Sequence, residues 1–302
     1  MARWMNLVRQ GTAGRIAPAG RCEGAAWREV HLRDLTMVFA DGTRALDRVS
    51  LAIPYGQRVA LVGAHESGKT TLLEVLAGRR RWSAGEVVVD GKPWSPRDWR
   101  RLRAGMALVA GRPRATLFMR TVWEYVTAPL VHTRLPRAEV VRQAEVALAM
   151  VGMQAARDER LAALHRWPAR KVALAAAMVR RPHFLLVDDP TDGLDPQAVH
   201  ELTHLLQAMQ WMGVTVMVAT HDVDFAAAWA EAVTVLCGGR VLASGDAGLL
   251  VDKRLMEQAR LRLPLVSLPF ALVPGRTAAP PRTLTDAVRE LWEMSGSWEG
   301  VV

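Results

Sequence analysis

The 302-residue sequence is poor in cysteine, lacks long apolar runs, and has fewer acids than bases. Cys22 and Cys237 form neither a disulfide framework nor a pair with metal-ligand spacing, which fits a reducing compartment. No apolar run reaches the roughly 18 residues that a bilayer-crossing helix needs. The nearest, residues 263–274, is shorter and holds three prolines. Any work at a membrane is therefore expected from its surface, through another chain. Acids number 30 against 39 bases, a net charge of +9. That balance would suit nucleic acid, an anionic membrane face or a nucleotide. Yet arginine replaces lysine almost throughout, and clusters such as Arg79-Arg-Arg81 read as solvated faces. No helix-turn-helix or metal-finger spacing accompanies them, so no nucleic-acid partner is expected. Apolar residues at 50% and charged residues at 23% are the balance of a folded chain with a substantial core.

What is present is a phosphate loop. Gly63-Ala-His-Glu-Ser-Gly-Lys-Thr70 spells G-x-x-x-x-G-K-T between an apolar strand and a helical pattern that begins near Lys69. Gly63 and Gly68 let the backbone curl so that successive N–H groups face one anion. The helix aims the positive end of its dipole at the same point. The motif predicts nucleotide contacts from Gly63, Ala64, His65, Glu66, Ser67, Gly68, Lys69, Thr70 and Thr71. Lys69 is placed on the β/γ-phosphates and the Thr70 hydroxyl on Mg²⁺.

Along the chain, residues 1–27 carry scattered Arg, Gly and Pro without a secretory apolar core, and read as a flexible basic leader. Strands are expected near residues 27–39 and 49–53, then before the loop. A hairpin turns at Asp90-Gly91, and further strands fall near residues 106–109, 184–187 and 214–218. Residues 111–170 turn helical, with Val140, Val141, Ala144, Leu148 and Val151 on one face. A helix from Pro196 turns Val199, Leu202, Leu205, Leu206 and Met209 inward, and a last hairpin turns at Gly238-Gly239. Strands alternating with helices predict a mostly parallel sheet covered on both sides. Beyond residue 245 a proline-rich linker leads to a short helix striped with Leu284, Val288, Leu291 and Trp292. Core contact and subunit contact are equally open readings of that stripe.

Two further segments carry chemistry. Phe184-Leu-Leu-Val-Asp-Asp189 is an apolar strand ending in two acids. Its end places Asp188 beside the Thr70 hydroxyl to share Mg²⁺, and Asp189 where it could orient or deprotonate a water. Val218-Ala-Thr-His221 ends its strand the same way, so His221 is expected at the ligand-binding edge of the sheet.

These segments, with Pro190-Thr-Asp-Gly-Leu-Asp-Pro196 and Thr220-His-Asp222, resemble an ABC-transporter ATPase over about residues 30–245. Leu117-Phe-Met-Arg-Thr-Val-Trp-Glu124 and Ala219-Thr-His-Asp-Val-Asp-Phe225 are similar to the energy-coupling-factor ATPases of cobalt and nickel importers. The resemblance implies an α/β P-loop NTPase core over 28–245 with an antiparallel β edge subdomain and an inserted helical subdomain at about 111–170. A small C-terminal extension, 246–302, would follow. It implies ATP and Mg²⁺ as cofactors, a second ATPase subunit, integral membrane partners, and a peripheral place on the cytoplasmic face of the membrane. It makes Phe39 the aromatic that stacks on adenine, Asp195 an acid at the dimer seam, and Asp189 and His221 the catalytic pair.

Three departures stand against it. The family's Leu-Ser-Gly-Gly-Gln signature falls on Leu164-His-Arg-Trp-Pro168, its lid glutamine on Gly111, and its catalytic glutamate on the shorter Asp189. Nucleotide binding is thus expected intact and hydrolysis impaired, with His165 and Arg166 able to lend charge to a partner-bound phosphate. The alternative function is a degenerate regulatory or structural partner of an active ATPase.

Overall fold

Alternation decides the first strands. In β2 (Arg44–Pro54), Val49, Leu51 and Ile53 are buried while Arg48, Ser50 and Ala52 between them are exposed, the period of a strand with one wet face. It pairs antiparallel with β1 (Glu29–Val38), which in turn pairs with β4 (Ala84–Val89). β4 turns into β5 (Lys92–Trp94) through Asp90 and Gly91, both at positive φ as a two-residue hairpin turn requires. The computed structural model describes residues 29–98, 103, 105–110, 120–273 and 279–296. The chain separates into one unit of Gly111–His183 and another that joins Arg28–Ala110 to Phe184–Val302.

The second unit is built on a six-stranded sheet. In it β3 (Arg58–Val62), β6 (Met106–Ala110), β7 (Phe184–Asp188), β8 (Thr215–Thr220) and β9 (Ala232–Cys237) run parallel, and β10 (Arg240–Asp246) closes the edge antiparallel. The order is β10-β9-β3-β8-β7-β6. Val59 to Val62 are all buried, as are all six residues of β8, the signature of strands covered on both faces. Register then fixes the site. Val62 pairs with Thr220 and Asp188 with Ala219, so β3, β7 and β8 end along one sheet edge. The expected mostly parallel α/β core with an antiparallel β subdomain is what the structure has.

Helix α1 (Lys69–Leu76) follows β3 and buries Leu72, Leu73, Val75 and Leu76. It ends at Ala77, with Gly78 in the left-handed conformation. The other unit holds α2 (Val122–Thr127), α3 (Arg137–Met150) and α4 (Arg166–Met178). α2 opens with a reciprocal capping box between Thr121 and Glu124. On α3 the expected apolar face is corrected: Val140 and Val141 are half-buried, and Gln143 is buried beside Ala144, Ala147 and Leu148. Gln143 Nε2 donates to Glu139 Oε1 at 2.6 Å and Arg142 grips the same carboxylate, holding its pKa down at about 2, with the Arg142 hydrogen bond the largest cause.

In α5 (Pro196–Trp211) Leu202, Leu205, Leu206 and Met209 turn inward as expected, while Val199 is only half-buried and Ala198 takes the core position. α6 (Val223–Trp229) and α7 (Lys253–Gln258) follow, each capped by an aspartate, Asp222 and Asp252. α8 (Leu268–Ala271) and α9 (Leu284–Gly296) complete the described elements. The tail groups with the sheet unit: Leu265 N donates to Asp224 Oδ1 at 2.7 Å, Arg262 pairs with Asp224, and the buried Ser267 hydroxyl donates to Pro281 O at 2.6 Å. On α9, Leu284, Val288, Leu291 and Trp292 are all more than half exposed, and it is Ala287 that is buried. Among the described residues the stripe is not core. Among the described residues no helix is long and apolar enough to cross a membrane.

Candidate functional site

Directly after β3, the backbone of residues 63–68 is shaped by what cannot fit. A Cβ on Gly63 would lie 2.4 Å from Leu236 O and 2.5 Å from Ser67 Oγ. A Cβ on Gly68, whose φ is +102°, would lie 2.7 Å from Ala45 O. A Cβ on Gly239, at φ +76°, would meet that same carbonyl at 2.7 Å; the Gly239 N–H donates to Ser67 O at 3.0 Å and its carbonyl accepts from Asp47 N at 2.9 Å. Main chain from two distant segments, residues 45–47 and 236–239, thus backs the loop. Asp47, itself buried, is gripped by Arg240 and Arg44, and the Arg240 hydrogen bond leads the effects that lower its pKa.

On the open side, Glu66 also sits at positive φ, 62°. The amides of His65, Glu66 and Gly68 find no acceptor among the described residues. A left-handed residue followed by a helix start presents consecutive N–H groups to one point, an anion cradle. The Lys69 ammonium is buried and donates to Gly63 O at 2.9 Å and Ala64 O at 2.8 Å, arching the loop over itself. Burial lowers its pKa, opposed by the charges of Asp189 and Asp188. Thr70 and Thr71 stand on the first turn of α1.

Thr70 Oγ1 donates to Asp188 Oδ2 at 2.8 Å, so the end of β7 meets the loop helix as expected. The other oxygen, Asp188 Oδ1, is buried and accepts no hydrogen bond among the described residues. Burial pushes this carboxyl's pKa up, Thr70 opposes, and neighbouring Asp189 adds to the rise. An orphaned carboxylate oxygen beside a hydroxyl is a hard, all-oxygen donor set short of a cation, which fits Mg²⁺ and suits softer metals poorly.

Asp189 turns out of the strand at φ +39°, its N–H donating to Ala219 O at 2.8 Å. Its Oδ1 lies 3.0 Å from His221 Nδ1. Against an ionised carboxylate the Nδ1 nitrogen carries the proton, a tautomer assigned from this partner. The His65 ring stands 4.6 Å from the His221 ring, centroid to centroid. Lys69, Thr70, Asp188, Asp189, His65 and His221 therefore gather at one sheet edge. Phe39 is half-buried just after β1, and the Arg80 guanidinium lies 5.1 Å over its ring. Gly111 and residues 117–119 lie outside the described residues, as do the leader and most of the linker.

The stretch aligned with the signature opens α4. His165 is its N-cap without a side-chain hydrogen bond, and its first turn holds Arg166, Trp167 and Pro168 and no acid. Pro168 has no N–H to present. The Lys171 ammonium lies 5.3 Å over the Trp167 ring.

Sequence reasoning missed three features here. It did not foresee that the His65 side chain would face His221, although a bulky ring at a loop position serving through its backbone was a visible oddity. It missed the Arg80–Phe39 stack. Nor did it find the left-handed backbone of Glu66 and Asp189, which tertiary packing imposes and no local signal announces.

With this geometry established, the comparisons are direct. The ABC transporter family matches residues 46–192. The energy-coupling factor transporter ATP-binding protein EcfA of Carboxydothermus hydrogenoformans is 34% identical over 83% of this chain and 93% of its own length. The cobalt import ATP-binding protein CbiO of Rhodobacter capsulatus is 38% identical, over 82% of this chain and 92% of its own. Among solved structures, cbiO1 from Clostridium perfringens, part of the ABC transporter complex cbiONQ, superposes with a TM-score of 0.68. It is 30% identical and covers 80% of this chain and 98% of that one.

Proposed function

The chain belongs to the ABC-transporter ATP-binding family, in its energy-coupling-factor branch, and on that premise we propose that it binds Mg-ATP to drive an importer of cobalt or nickel ions. The observation that carries the nucleotide reading is the Thr70–Asp188 hydrogen bond with Asp188 Oδ1 left unpartnered beside an open amide cradle. Amides of residues 63–70 and the Lys69 ammonium hold the β- and γ-phosphates. Thr70 and Asp188 hold Mg²⁺, which when bound neutralises charge that builds on the phosphates. Asp189 takes a proton from the attacking water, and His221, hydrogen-bonded to it, keeps that carboxylate aimed. Phe39 stacks on the adenine, with Arg80 already on the ring. A second ATPase subunit completes the site, and integral membrane subunits dock on the helical unit from a chain that stays peripheral on the cytoplasmic face. Cobalt is proposed on the cobalt-import relative, and nickel on the similarity of residues 117–124 and 219–225 to cobalt and nickel importer ATPases.

The test is calorimetric titration of the full chain with Mg-ATP, against Lys69→Ala, followed by affinity purification from native membranes. Binding lost in the variant and co-purifying transporter subunits support the reading. Binding unchanged by Lys69→Ala overturns it.

One observation favours a second reading, a non-hydrolysing partner: α4 opens on Arg166, Trp167 and Pro168 rather than on bare amides. Turnover with the natural partners decides between them. Abolition by Asp189→Asn supports the ATPase; indifference to it supports the partner that only clamps nucleotide.

A further inference from the structure

Away from the phosphate cradle, α5 presents two imidazoles on its solvent face. His200 and His204 are four residues apart and both exposed, opposite the buried stripe of Leu202, Leu205, Leu206 and Met209. That spacing makes them neighbours on the helix surface. Their Nε2 atoms lie 3.0 Å apart, with the rings 4.4 Å between centroids and nearly perpendicular. Such an approach needs one nitrogen to donate and the other to accept, so the pair cannot be doubly protonated as placed.

The same separation is that of two ligands on one ion. Imidazole nitrogens bind a divalent transition metal at about 2.0–2.1 Å, so two of them in neighbouring positions stand about 2.9 Å apart at a right angle and about 3.4 Å apart in a tetrahedron. We propose that His200 and His204 form a bidentate surface site for a borderline divalent ion, of the nickel, copper or zinc type. In the neutral pair, the ring that now donates moves its proton from Nε2 to Nδ1, and both Nε2 lone pairs then face the ion with no net proton released; a singly protonated pair releases one proton to solvent. Among the described residues no group of three or more His, Cys, Asp or Glu is placed to hold a metal, so water fills the remaining positions. Imidazole discriminates against Mg²⁺, which prefers oxygen, so this site and the Thr70–Asp188 site select different ions.

The experiment is calorimetric titration of the untagged full chain with NiCl₂ in millimolar MgCl₂. The expected result is saturable binding that His200→Ala or His204→Ala weakens at least about tenfold, the cost already typical of losing a residue that merely orients a ligand. The double variant loses one equivalent of nickel. Unchanged Mg-ATP affinity shows that these surface variants fold, and His200→Gln replaces His200→Ala if it does not. A double variant with wild-type nickel stoichiometry and affinity overturns the proposal, as does displacement of nickel by Mg²⁺. So does loss of the same equivalent in His65→Ala, which would assign it to the His65–His221 pair.

Discussion

Helices α1 and α4 both begin without a side-chain cap, for opposite reasons. At α1 the preceding residue is Gly68 in the left-handed conformation, with Lys69 curled back onto the loop, so no side chain caps the first-turn amides. At α4 the cap is His165 and the first turn is Arg166, Trp167 and Pro168: one amide is deleted and the Arg166 cation stands where the dipole favours an anion. One helix start is built to receive phosphate. The other carries bulk and charge instead. On the proposed reading, the departures at Leu164–Pro168 and Asp189 fall on parts that would complete a neighbour's site or speed the chemistry, while residues 63–70 keep the loop pattern.

The sharpest way to break the contrast is Lys69→Ala. Mg-ATP affinity should fall by about two orders of magnitude or more, the scale of deleting one member of a buried charge pair, measured by calorimetry. Next is Asp189→Glu, assayed as turnover with natural partners. If carboxylate reach limits the rate, the added methylene recovers up to about 100-fold, since misplacement by about 1 Å costs that much. No gain would place the defect in α4 instead. Third, Gly68→Ala combines φ of +102° with a backbone clash at 2.7 Å. The conformation alone costs about 1–3 kcal/mol, to be read as a lowered thermal midpoint with reduced nucleotide binding. A smaller change tests the other helix: Trp167→Ala removes the Lys171 stack and should cost about 0.5–1 kcal/mol of stability without affecting ATP binding.

The last prediction concerns pH. Asp47 has its pKa lowered in the folded chain, chiefly by the Arg240 hydrogen bond. Its contribution to stability is complete above the unfolded value near about 3.9 and is lost as pH falls through the lower folded value. The difference in thermal midpoint between wild type and Asp47→Asn should therefore be steady at neutral pH and shrink below about pH 4.

Local grammar made much of this molecule readable. The strand–loop–helix around Lys69 and the acids ending β7 follow from residue type and spacing, because phosphate and Mg²⁺ demand those groups in that order. Hairpin turns at Asp90-Gly91 and Gly238-Gly239 were equally plain, since positive φ leaves few alternatives. Legibility failed where neighbours decide. Gln143 is buried because Glu139 satisfies it, while the apolar Val140 and Val141 stay half out. The stripe on α9 has the period of a core face and yet lies in solvent. Asp189 is bent into a left-handed turn by its bond to Ala219, which lies on another strand and gives no trace in the local sequence.

The backing of the cradle by Ala45, Leu236 and Gly239 bears on the order of assembly. All eight residues of the motif leave the ribosome early, but the wall they lean on includes a hairpin translated some 170 positions later. A nascent or truncated chain that stops before β9 would carry the complete G-x-x-x-x-G-K-T signature and still have no seat for a triphosphate.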